Sequence, residues 1–400
     1  MKKVRPLFRK SPASFSRKTR DFFFRALPPL ALLLALASAA AAQDATAPKP
    51  APQTLGEEFT IVAYNVENLF HPTDDPRYDD NEFLPRGTRG WGWRKYRKKL
   101  AAVGRAIIAC GNELPPALVG LCEVEGDSVL RYLTRRSLLR QADYRYAVAS
   151  TSDERGICTA LLYQRDRFRL LHAGSIPTRL PSGEILPSRH TLHACGLIES
   201  GDTLDVFVVH FPSRRDGKQA TDPLRRAAAR TLREKTDSIY RRRSRPLIVV
   251  MGDFNEYPCT RLFEEVLQTA VPPAPVLPPG CTIARKHRRR LAENQAPIRP
   301  EVLYDLAAPL EHAQPGSYKY QGTWGMLDHI LVSGALLDAD SPLQIPARCA
   351  EPGNFSFLLQ RDDKYLGLRP YRTYYGYQYQ EEGTSDHLPL IARGIFIAEE

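Results

Sequence analysis

The sequence predicts an α/β fold of the α+β type, built as a four-layer sandwich of two packed mixed β-sheets flanked by helices. Strand-like apolar runs outnumber helical patterns, which argues against a simple alternating βαβ sheet. Helical patterns fall between only some of the strands, so we expect the helices on the outer faces of the sheets. The chain shows no internal repeat, and a single folded domain is expected after the N-terminal region.

Nine segments have the composition of strands: 59–63, 117–122, 144–149, 157–163, 191–198, 203–210, 247–251, 329–332 and 388–392. A helix is predicted from Lys95 to Cys110, because its apolar residues recur along one stripe and Gly111 ends the pattern. A long basic helix is predicted to begin at the N-cap Asp222, with Pro223 at its first position, and to continue to Arg241. A shorter helix is predicted between residues 259 and 269.

Residues 1–42 are expected to be a signal peptide. Residues 1–25 carry nine basic side chains and one acidic one, and the apolar stretch Ala26–Ala42 ends in small residues. This order is typical of a cleaved secretory leader. The stretch contains Pro28 and Pro29 and is short for a membrane span, so no stable span is expected after its removal, although an uncleaved anchor is the alternative. The protein is therefore expected to be exported, to the periplasm or the extracellular space.

The net charge of +11 belongs mostly to this leader, and the rest of the chain carries about +3. Composition alone therefore indicates no strong affinity for nucleic acid. Residues 43–56 are rich in Ala, Pro, Thr and Gln and are expected to form a flexible linker. The seven cysteines match no zinc pattern. Cys259 and Cys281 are the best candidates for a disulfide, whereas Cys122, Cys158 and Cys195 are expected to be buried thiols.

The most informative motif is Gly252-Asp253-Phe254-Asn255, which directly follows the apolar run 247–251. Asp253 and Asn255 stand two residues apart, so both side chains point to one face of the strand end. Such a pair can hold a hard cation, or a water beside a phosphate. A strand followed by Gly-Asp is also typical of an ordinary turn.

Further polar residues stand at the ends of other predicted strands: Asn65, Glu123, His210, Asp328, and Ser385-Asp386-His387. Glu123 is the best candidate metal ligand among them, because a carboxylate after a hydrophobic strand is costly to bury unless a cation pairs with it. A solvated glutamate at a strand end is the alternative. The ordered series as a whole predicts an active site at the strand ends.

With these ordered motifs the chain resembles the endonuclease/exonuclease/phosphatase superfamily, the deoxyribonuclease-I-like fold. The resemblance implies a catalytic domain over residues 57–398. It implies that Asn65, Glu123 and Asp386 surround a metal, and that Asp253 and Asn255 hold a second metal or the attacking water. Oxygen and amide ligands without paired Cys or His favour Mg²⁺, Mn²⁺ or Ca²⁺ over structural zinc.

The resemblance also assigns chemistry to two histidines. His387 is similar to the histidine that works with the carboxylate at Asp328, which would fix its tautomer and stabilise its charged form. The ring could then act as a base or contact phosphate. His210 resembles the second catalytic histidine of the nuclease branch, which implies a general acid toward the leaving group. His329, where the family often has an aromatic residue, is expected to pack in the interior.

Several residues are expected to contact substrate. Arg214 and Arg215 can form a bidentate phosphate clamp, with ordinary surface turn residues as the alternative. Tyr163 and Tyr374 are expected to line the cleft, with packing of an edge strand as the alternative. The segment 271–320 is predicted to be an irregular insertion, and its basic run 285–290 could grip phosphates or be a solvated charge run.

These observations predict an exported, divalent-metal-dependent phosphoesterase in which activated water attacks a phosphodiester, with a nuclease as the first choice because of His210. A phosphatase or a lipid phosphodiesterase of the same fold is the alternative. A non-catalytic module that binds phosphate ligands is the alternative of another class. The partner is expected to be a phosphate-ester substrate, with nucleic acid as one candidate, and the protein is expected to be a monomer.

Overall fold

The computed structural model describes residues 58–273, 297–346 and 350–396. The predicted leader and linker, the basic run 285–290 and Cys281 lie outside these ranges. The strands, in chain order, are β1 (Glu58–Leu69), β2 (Leu118–Val124), β3 (Arg145–Val148), β4 (Cys158–Tyr163), β5 (Arg169–Ile176), β6 (Thr191–Leu197), β7 (Thr203–His210), β8 (Leu247–Asp253), β9 (Leu303–Asp305), β10 (Tyr318–Tyr320), β11 (Thr323–Gly325), β12 (Asp328–Ser333), β13 (Leu343–Gln344), β14 (Glu351–Pro352), β15 (Leu359–Arg361), β16 (Leu368–Pro370), β17 (Tyr374–Tyr375), β18 (Gln378–Tyr379) and β19 (Leu390–Phe396).

The α-helices are α1 (Trp93–Cys110), α2 (Gly126–Arg136) and α3 (Lys218–Tyr240). Single turns of 3₁₀-helix occur at Asn81–Phe83, Leu138–Ala142, Ala308–Leu310, Gly334–Leu337 and Ser356–Leu358, and a π-helical turn occurs at Leu262–Leu267. None of the helices in the described ranges is both long and apolar enough to cross a membrane.

Two large mixed sheets carry the fold. The first has the strand order β13-β19-β1-β2-β4-β3, with β14 also paired to β19, and only β1 and β2 run parallel. The second has the order β5-β6-β7-β8-β12-β9, and only β7 and β8 run parallel. The remaining strands form the hairpins β10–β11, β15–β16 and β17–β18. The first and last described strands, β1 and β19, are therefore neighbours.

Three apolar layers hold these elements together. Alternate residues of β1 face opposite sides: Ile61 and Ala63 join the core between the sheets, whereas Val62 and Tyr64 join the core under α1 and α2. The second sheet packs its other face against α3. The two sheets approach closely at Gly120, where a Cβ would lie 2.8 Å from Cγ of Met251. This arrangement of helices, sheet, sheet and helix confirms the predicted four-layer sandwich.

Some local predictions were wrong. Helix α3 begins at Lys218 and contains Pro223, rather than beginning at Asp222, because proline's fixed φ is compatible with a helix and the preceding turn closes through Gly217. The insertion is not irregular throughout, since Leu303–Asp305 pairs with β12 as the edge of the second sheet. Helix α2 and strand β5 were not predicted: α2 is short and rich in charge, and β5 is a largely exposed edge strand.

The cysteines that the structure describes agree in part with the prediction. Cys122 and Cys158 are buried thiols, whereas Cys195 is only half-buried on β6. The disulfide between Cys259 and Cys281 stays a prediction, because Cys281 lies outside the described residues.

Candidate active site

The strand-end residues of both sheets meet at a cleft with a volume of about 860 Å³. In the second sheet, backbone register places His210 beside Asp253 and Asp253 beside Asp328, so these three residues stand in a row across β7, β8 and β12. The first sheet contributes Asn65 from β1 and Glu123 from β2. The residues that the sequence singled out at separate strand ends therefore share one cleft floor.

His387 and Asp328 form a hydrogen-bonded pair. Nδ1 of His387 lies 2.7 Å from Oδ2 of Asp328, and the carboxylate is fully buried. Burial opposes the charge of the imidazole, but Asp328, followed by Asp253, attracts it more strongly and raises the pKa of His387 well above its usual value. This shift favours the protonated form of the His387 ring.

His210 has the opposite electrostatics. Its Nε2 lies 3.7 Å from Oδ2 of Asp253 and 3.9 Å from Oε1 of Glu123. Burial and the nearby guanidinium groups of Arg189 and Arg155 lower the pKa of His210 well below its usual value. This shift favours the neutral form of the His210 ring, and its Nδ1 has no hydrogen-bond partner among the described residues.

Asn65 lies between the two carboxylates of the floor. Its Nδ2 donates to Oδ2 of Asp253 at 3.0 Å and to Oε1 of Glu123 at 3.3 Å. Its Oδ1 accepts the backbone N–H of Glu67 at 3.0 Å, which fixes the orientation of the amide. In this orientation the Asn65 amide holds the two carboxylates in place, and its assignment to the metal site stays a prediction.

The backbone around the floor is locally strained. Glu67, Asn68, Glu123 and Asn255 all have positive φ angles between 49° and 64°, which non-glycine residues seldom adopt. The N–H of Asn68 donates to Oε2 of Glu123 at 2.8 Å, which fixes that carboxylate. Such strain is concentrated at functional sites, where surrounding contacts hold the backbone in place.

Asp253 and Asn255 form a compact turn at the end of β8. Oδ1 of Asp253 accepts the N–H of Asn255 at 2.8 Å, and the Asn255 amide donates to the carbonyl of Phe211 at 3.0 Å. Burial raises the pKa of Asp253 to about 7, with His387 opposing this shift and Asp328 adding to it. A cation near Asp253 would favour its ionised form.

Asp386 lines the same cleft as these residues and is paired with an arginine. Its Oδ2 accepts a hydrogen bond from Nη2 of Arg372 at 3.1 Å, so its charge is paired with a guanidinium. Among the described residues, no group of three Asp, Glu, His or Cys side chains stands ready to hold a metal. Glu123 and Asp253 remain as hard oxygen donors, and these fit a cation such as Mg²⁺, which keeps several waters and needs only one or two carboxylates.

The predicted phosphate clamp also faces the cleft, since Arg214 and Arg215 both line it. The Arg214 guanidinium lies 4.6 Å from the centre of the Tyr257 ring and 3.8 Å from the buried carboxylate of Glu256. Other cleft-lining residues were missed from the sequence: Glu67, Asn68, Arg155, Arg189, Lys218, Tyr257, Tyr318, Tyr320 and Arg372. The only signal for Arg155 was its place three residues before a strand, at the same edge as Glu123.

Two substrate-binding predictions were wrong. Tyr163 lies beside Leu118, at the end of β4 remote from Glu123, and its ring packs edge-on against Phe168 in the core between the sheets. The Tyr374 hydroxyl donates to the carbonyl of Arg89 at 3.0 Å, and the ring packs near Trp91 in the core under α1. Neither tyrosine lines the cleft.

His329 is buried, as predicted, and it also has a charged partner. Its Nδ1 lies 2.8 Å from Oδ2 of Asp305 and its Nε2 lies 3.0 Å from the carbonyl of Glu256. Its ring packs against those of Phe254 and Phe263, which also contact each other. The residue therefore supports the turn that carries Asp253 and Asn255 from behind.

Solved structures with similar folds include two proteins from Bacteroides thetaiotaomicron and one from Caenorhabditis elegans. An endonuclease/exonuclease/phosphatase family protein from Bacteroides thetaiotaomicron is 16% identical, with a TM-score of 0.48 over 85% of this chain and 98% of that one. A mannosyl-6-phosphatase from the same organism is 16% identical, with a TM-score of 0.49 over 84% and 100%. Truncated TDP2 from Caenorhabditis elegans is 14% identical, with a TM-score of 0.46 over 84% and 97%.

No curated protein sequence matches the chain. The sequence model of one family does match it, over residues 60–273 and 288–395, and its description is endonuclease/exonuclease/phosphatase family. These ranges contain every strand-end residue of the cleft floor, from Asn65 to His387. The chain therefore belongs to the endonuclease/exonuclease/phosphatase family.

Proposed function

We propose that the protein is a divalent-metal-dependent phosphodiesterase and that its substrate is nucleic acid. The observation that carries this proposal is the cleft floor, where two carboxylates, Glu123 and Asp253, stand beside the imidazoles of His210 and His387. A phosphodiester needs an activated water, positive charge near its oxygens and help for its leaving group, and this floor supplies a residue for each.

Glu123 and Asp253 are the residues that would hold the cation, with Asn65 holding them in place through its amide. When bound, Mg²⁺, Mn²⁺ or Ca²⁺ would place positive charge on a phosphate oxygen and lower the pKa of a coordinated water. Asn255 anchors the turn that carries Asp253, so its contribution is positional.

The opposite pKa shifts of the two histidines favour different chemical roles for them, and these roles differ from those expected from the family. The protonated form of His387 is favoured and held by Asp328, so this residue is suited to contact a phosphate oxygen or to donate a proton. The neutral form of His210 is favoured, so this residue is suited to accept a proton from water or to orient it, rather than to act as the general acid.

Nucleic acid is favoured because basic and aromatic side chains line the same cleft. Phosphate groups along a strand are contacted by cations, and unstacked bases are contacted by aromatic rings. The cations are Arg155, Arg189, Arg214, Arg215 and Lys218, and the rings are Tyr257, Tyr318 and Tyr320. A small monoester would use only part of this surface.

The test is a substrate panel with purified protein and Mg²⁺, Mn²⁺ or Ca²⁺. The panel contains plasmid DNA, RNA, a generic phosphodiester, a generic phosphomonoester and phospholipid vesicles. We expect cleavage of a nucleic acid and of the generic diester, and no cleavage after chelation. Hydrolysis of only the monoester or only the phospholipid would replace the nuclease by a phosphatase or a lipid phosphodiesterase. Failure on every substrate with every cation would support a non-catalytic module.

We further propose that the protein is exported after cleavage near Ala42 and acts as a monomer. The support is the order of basic, apolar and small residues in positions 1–42. Intact mass of the protein recovered outside the cytoplasm, together with its molar mass in solution, tests both statements. Retention of residues 1–25 in that protein would refute cleavage.

A further inference from the structure

Arg372 bridges two carboxylates at one edge of the cleft. Its Nε and Nη2 donate to Oε1 of Glu67 at 3.1 and 2.8 Å, and Nη2 also donates to Oδ2 of Asp386 at 3.1 Å. Glu67 is only 4% exposed, whereas the Arg372 side chain is 38% exposed and lines the cleft. One side of the guanidinium is therefore anchored in the protein, and the other faces the cleft.

The anchor is fully built from the protein. The second oxygen of Glu67 accepts the backbone N–H of Thr373 at 2.7 Å. The buried ammonium of Lys99 donates to the carbonyl of Glu67 at 2.9 Å and also bonds the Thr373 hydroxyl and the Thr384 carbonyl. These bonds tie the end of β1, the turn at Arg372 and the segment before Asp386 into one unit.

This arrangement conflicts with Asp386 as a metal ligand. The Arg372 guanidinium already balances the charge of the Asp386 carboxylate, and a divalent cation bound to the same carboxylate would repel that guanidinium. The charge of Glu67 is likewise balanced by the Arg372 guanidinium, which donates twice to its Oε1. Glu123 has no such cationic partner within hydrogen-bond distance among the described residues, so it is the carboxylate that remains available to a cation.

The exposed edge of Arg372 has donors to spare. Its Nη1 donates no hydrogen bond to any residue that the structure describes, and a planar guanidinium matches the spacing of phosphate oxygens. Arg372 lines the same cleft as Glu123 and His387, which are the groups proposed to act on the phosphate. Its orientation is set by Glu67 and Asp386, so little side-chain freedom is lost when an anion binds.

We propose that Arg372 is a phosphate-binding residue of the active site, with Glu67 and Asp386 as its anchors rather than as ligands of the catalytic cation. This inference rests on the proposed phosphoesterase function. It predicts that phosphate binding depends on Arg372 even without metal, and that metal binding depends on Glu123 but not on Asp386.

The first measurement is the affinity of the metal-free protein for inorganic phosphate by calorimetry. R372Q should weaken binding by about 10- to 100-fold, the equivalent of one charge-assisted hydrogen bond. R372K should recover part of the loss, since it keeps the charge without the planar donors. The control R94Q removes an exposed arginine that pairs with Glu381 outside the cleft, and should change nothing. Unchanged phosphate affinity in R372Q would refute the proposal.

Because R372Q leaves Glu67 buried without its cation, the double variant E67Q/R372Q is measured in parallel. It removes the buried charge together with its partner and should show the same loss of phosphate affinity. Recovery of wild-type phosphate affinity in this double variant would contradict a direct contact between Arg372 and phosphate.

The second measurement is Mn²⁺ binding, which is followed by the loss of the electron paramagnetic resonance signal of free Mn²⁺. E123Q should weaken binding by at least about tenfold, whereas D386N should stay within about twofold of wild type. An equal loss in D386N would show that Asp386 is a metal ligand and would overturn its assignment as an anchor. Absence of Mn²⁺ binding to the wild type would instead refute the proposed dependence of the enzyme on a divalent metal. The phosphate measurement would still decide the role of Arg372.

Discussion

Oδ2 of Asp328 lies 2.7 Å from Nδ1 of His387, although the two residues come from opposite sheets of the sandwich. Asp328 opens β12 of the second sheet, whereas His387 precedes β19 of the first sheet. The pair therefore spans the interface of the sandwich at the cleft. The distance between the two side chains depends on how the two sheets pack. A shift of one sheet relative to the other would displace the imidazole even if the residues around it were unchanged.

We expect Asp328 and His387 to act as one unit. Asp328→Ala and His387→Ala should each lower kcat/KM by about 10² to 10⁴, the usual contribution of a positioned acid or base. Since both changes disable the same step, the double variant should lose little more than the worse single variant. Steady-state kinetics on the generic phosphodiester measures all three. Losses that multiply would show that the two residues work independently.

Glu123→Gln should remove most metal-dependent activity without unfolding the protein. The amide keeps the size of the side chain but loses the charge that attracts a hard cation, so Mg²⁺ should be needed at a concentration at least about tenfold higher. Activity is measured across a Mg²⁺ titration, with circular dichroism as the check on folding. The control is Glu125→Gln, since Glu125 accepts the His71 backbone N–H and does not line the cleft. Full activity of the wild type in excess chelator would contradict this mechanism.

The buried pair of His329 and Asp305 should make stability depend on pH. Burial opposes the charge on His329, but Asp305 outweighs it and raises the pKa of His329 above 6.5. A raised pKa in the folded state stabilises the protein fully at pH values below the pKa of the same histidine in the unfolded state. This contribution is lost as the pH rises through the pKa in the folded state. The free energy of unfolding of the wild type should therefore exceed that of Asp305→Asn by more at about pH 6 than at about pH 9.

The measurement for this pair is urea unfolding of both proteins at the two pH values. The amide oxygen introduced by Asp305→Asn can still accept the N–H of Ala307, which Oδ1 of Asp305 accepts at 2.9 Å, so the comparison isolates the charge. A difference in the free energy of unfolding that stays constant between the two pH values would show that His329 is neutral throughout.

Gly252 should not tolerate any side chain. Its φ is +135°, and a Cβ at this position would lie 2.0 Å from the carbonyl oxygen of Val209 on the neighbouring strand. Gly252→Ala should therefore lower the free energy of unfolding by at least about 3 kcal/mol and displace Asp253. Gly92→Ala is the matched control, because no atom lies within 4 Å of its Cβ position. Thermal unfolding of both variants tests this, and equal stabilities would refute it.

Strand order explains which site residues could be found from the sequence. His210, Asp253 and Asp328 could be proposed because each stands where an apolar run begins or ends, and backbone register then aligns them. Tyr163 could not be placed in the same way. β4 runs antiparallel to β2, so the end that carries Tyr163 lies opposite the end that carries Glu123. Sequence alone does not state the direction of a strand relative to its neighbours.

Long-range contacts explain the residues that were missed. Arg372 meets Glu67 across 305 positions of the chain, and neither residue stands in a local pattern that would pair them. Lys99 stands three residues after Tyr96 and four before Val103, on the buried face of α1. It is 1% exposed because its ammonium reaches the Glu67 and Thr384 carbonyls, a partnership that the spacing within the helix does not reveal. Such networks are decided by tertiary packing, whereas the apolar alternation that predicts strands is local.

The pairing of β1 with β19 has a consequence for protein synthesis. β1 lies between β2 and β19 and is the first of the described strands to be synthesised. It cannot pair with β19 until almost the whole chain has been translated. Asp386 and His387 are made just before β19, so the cleft lacks them for the same period. Contacts between such distant parts of a chain also form slowly. A nascent or truncated chain should therefore lack the complete cleft that is proposed to hydrolyse phosphate esters.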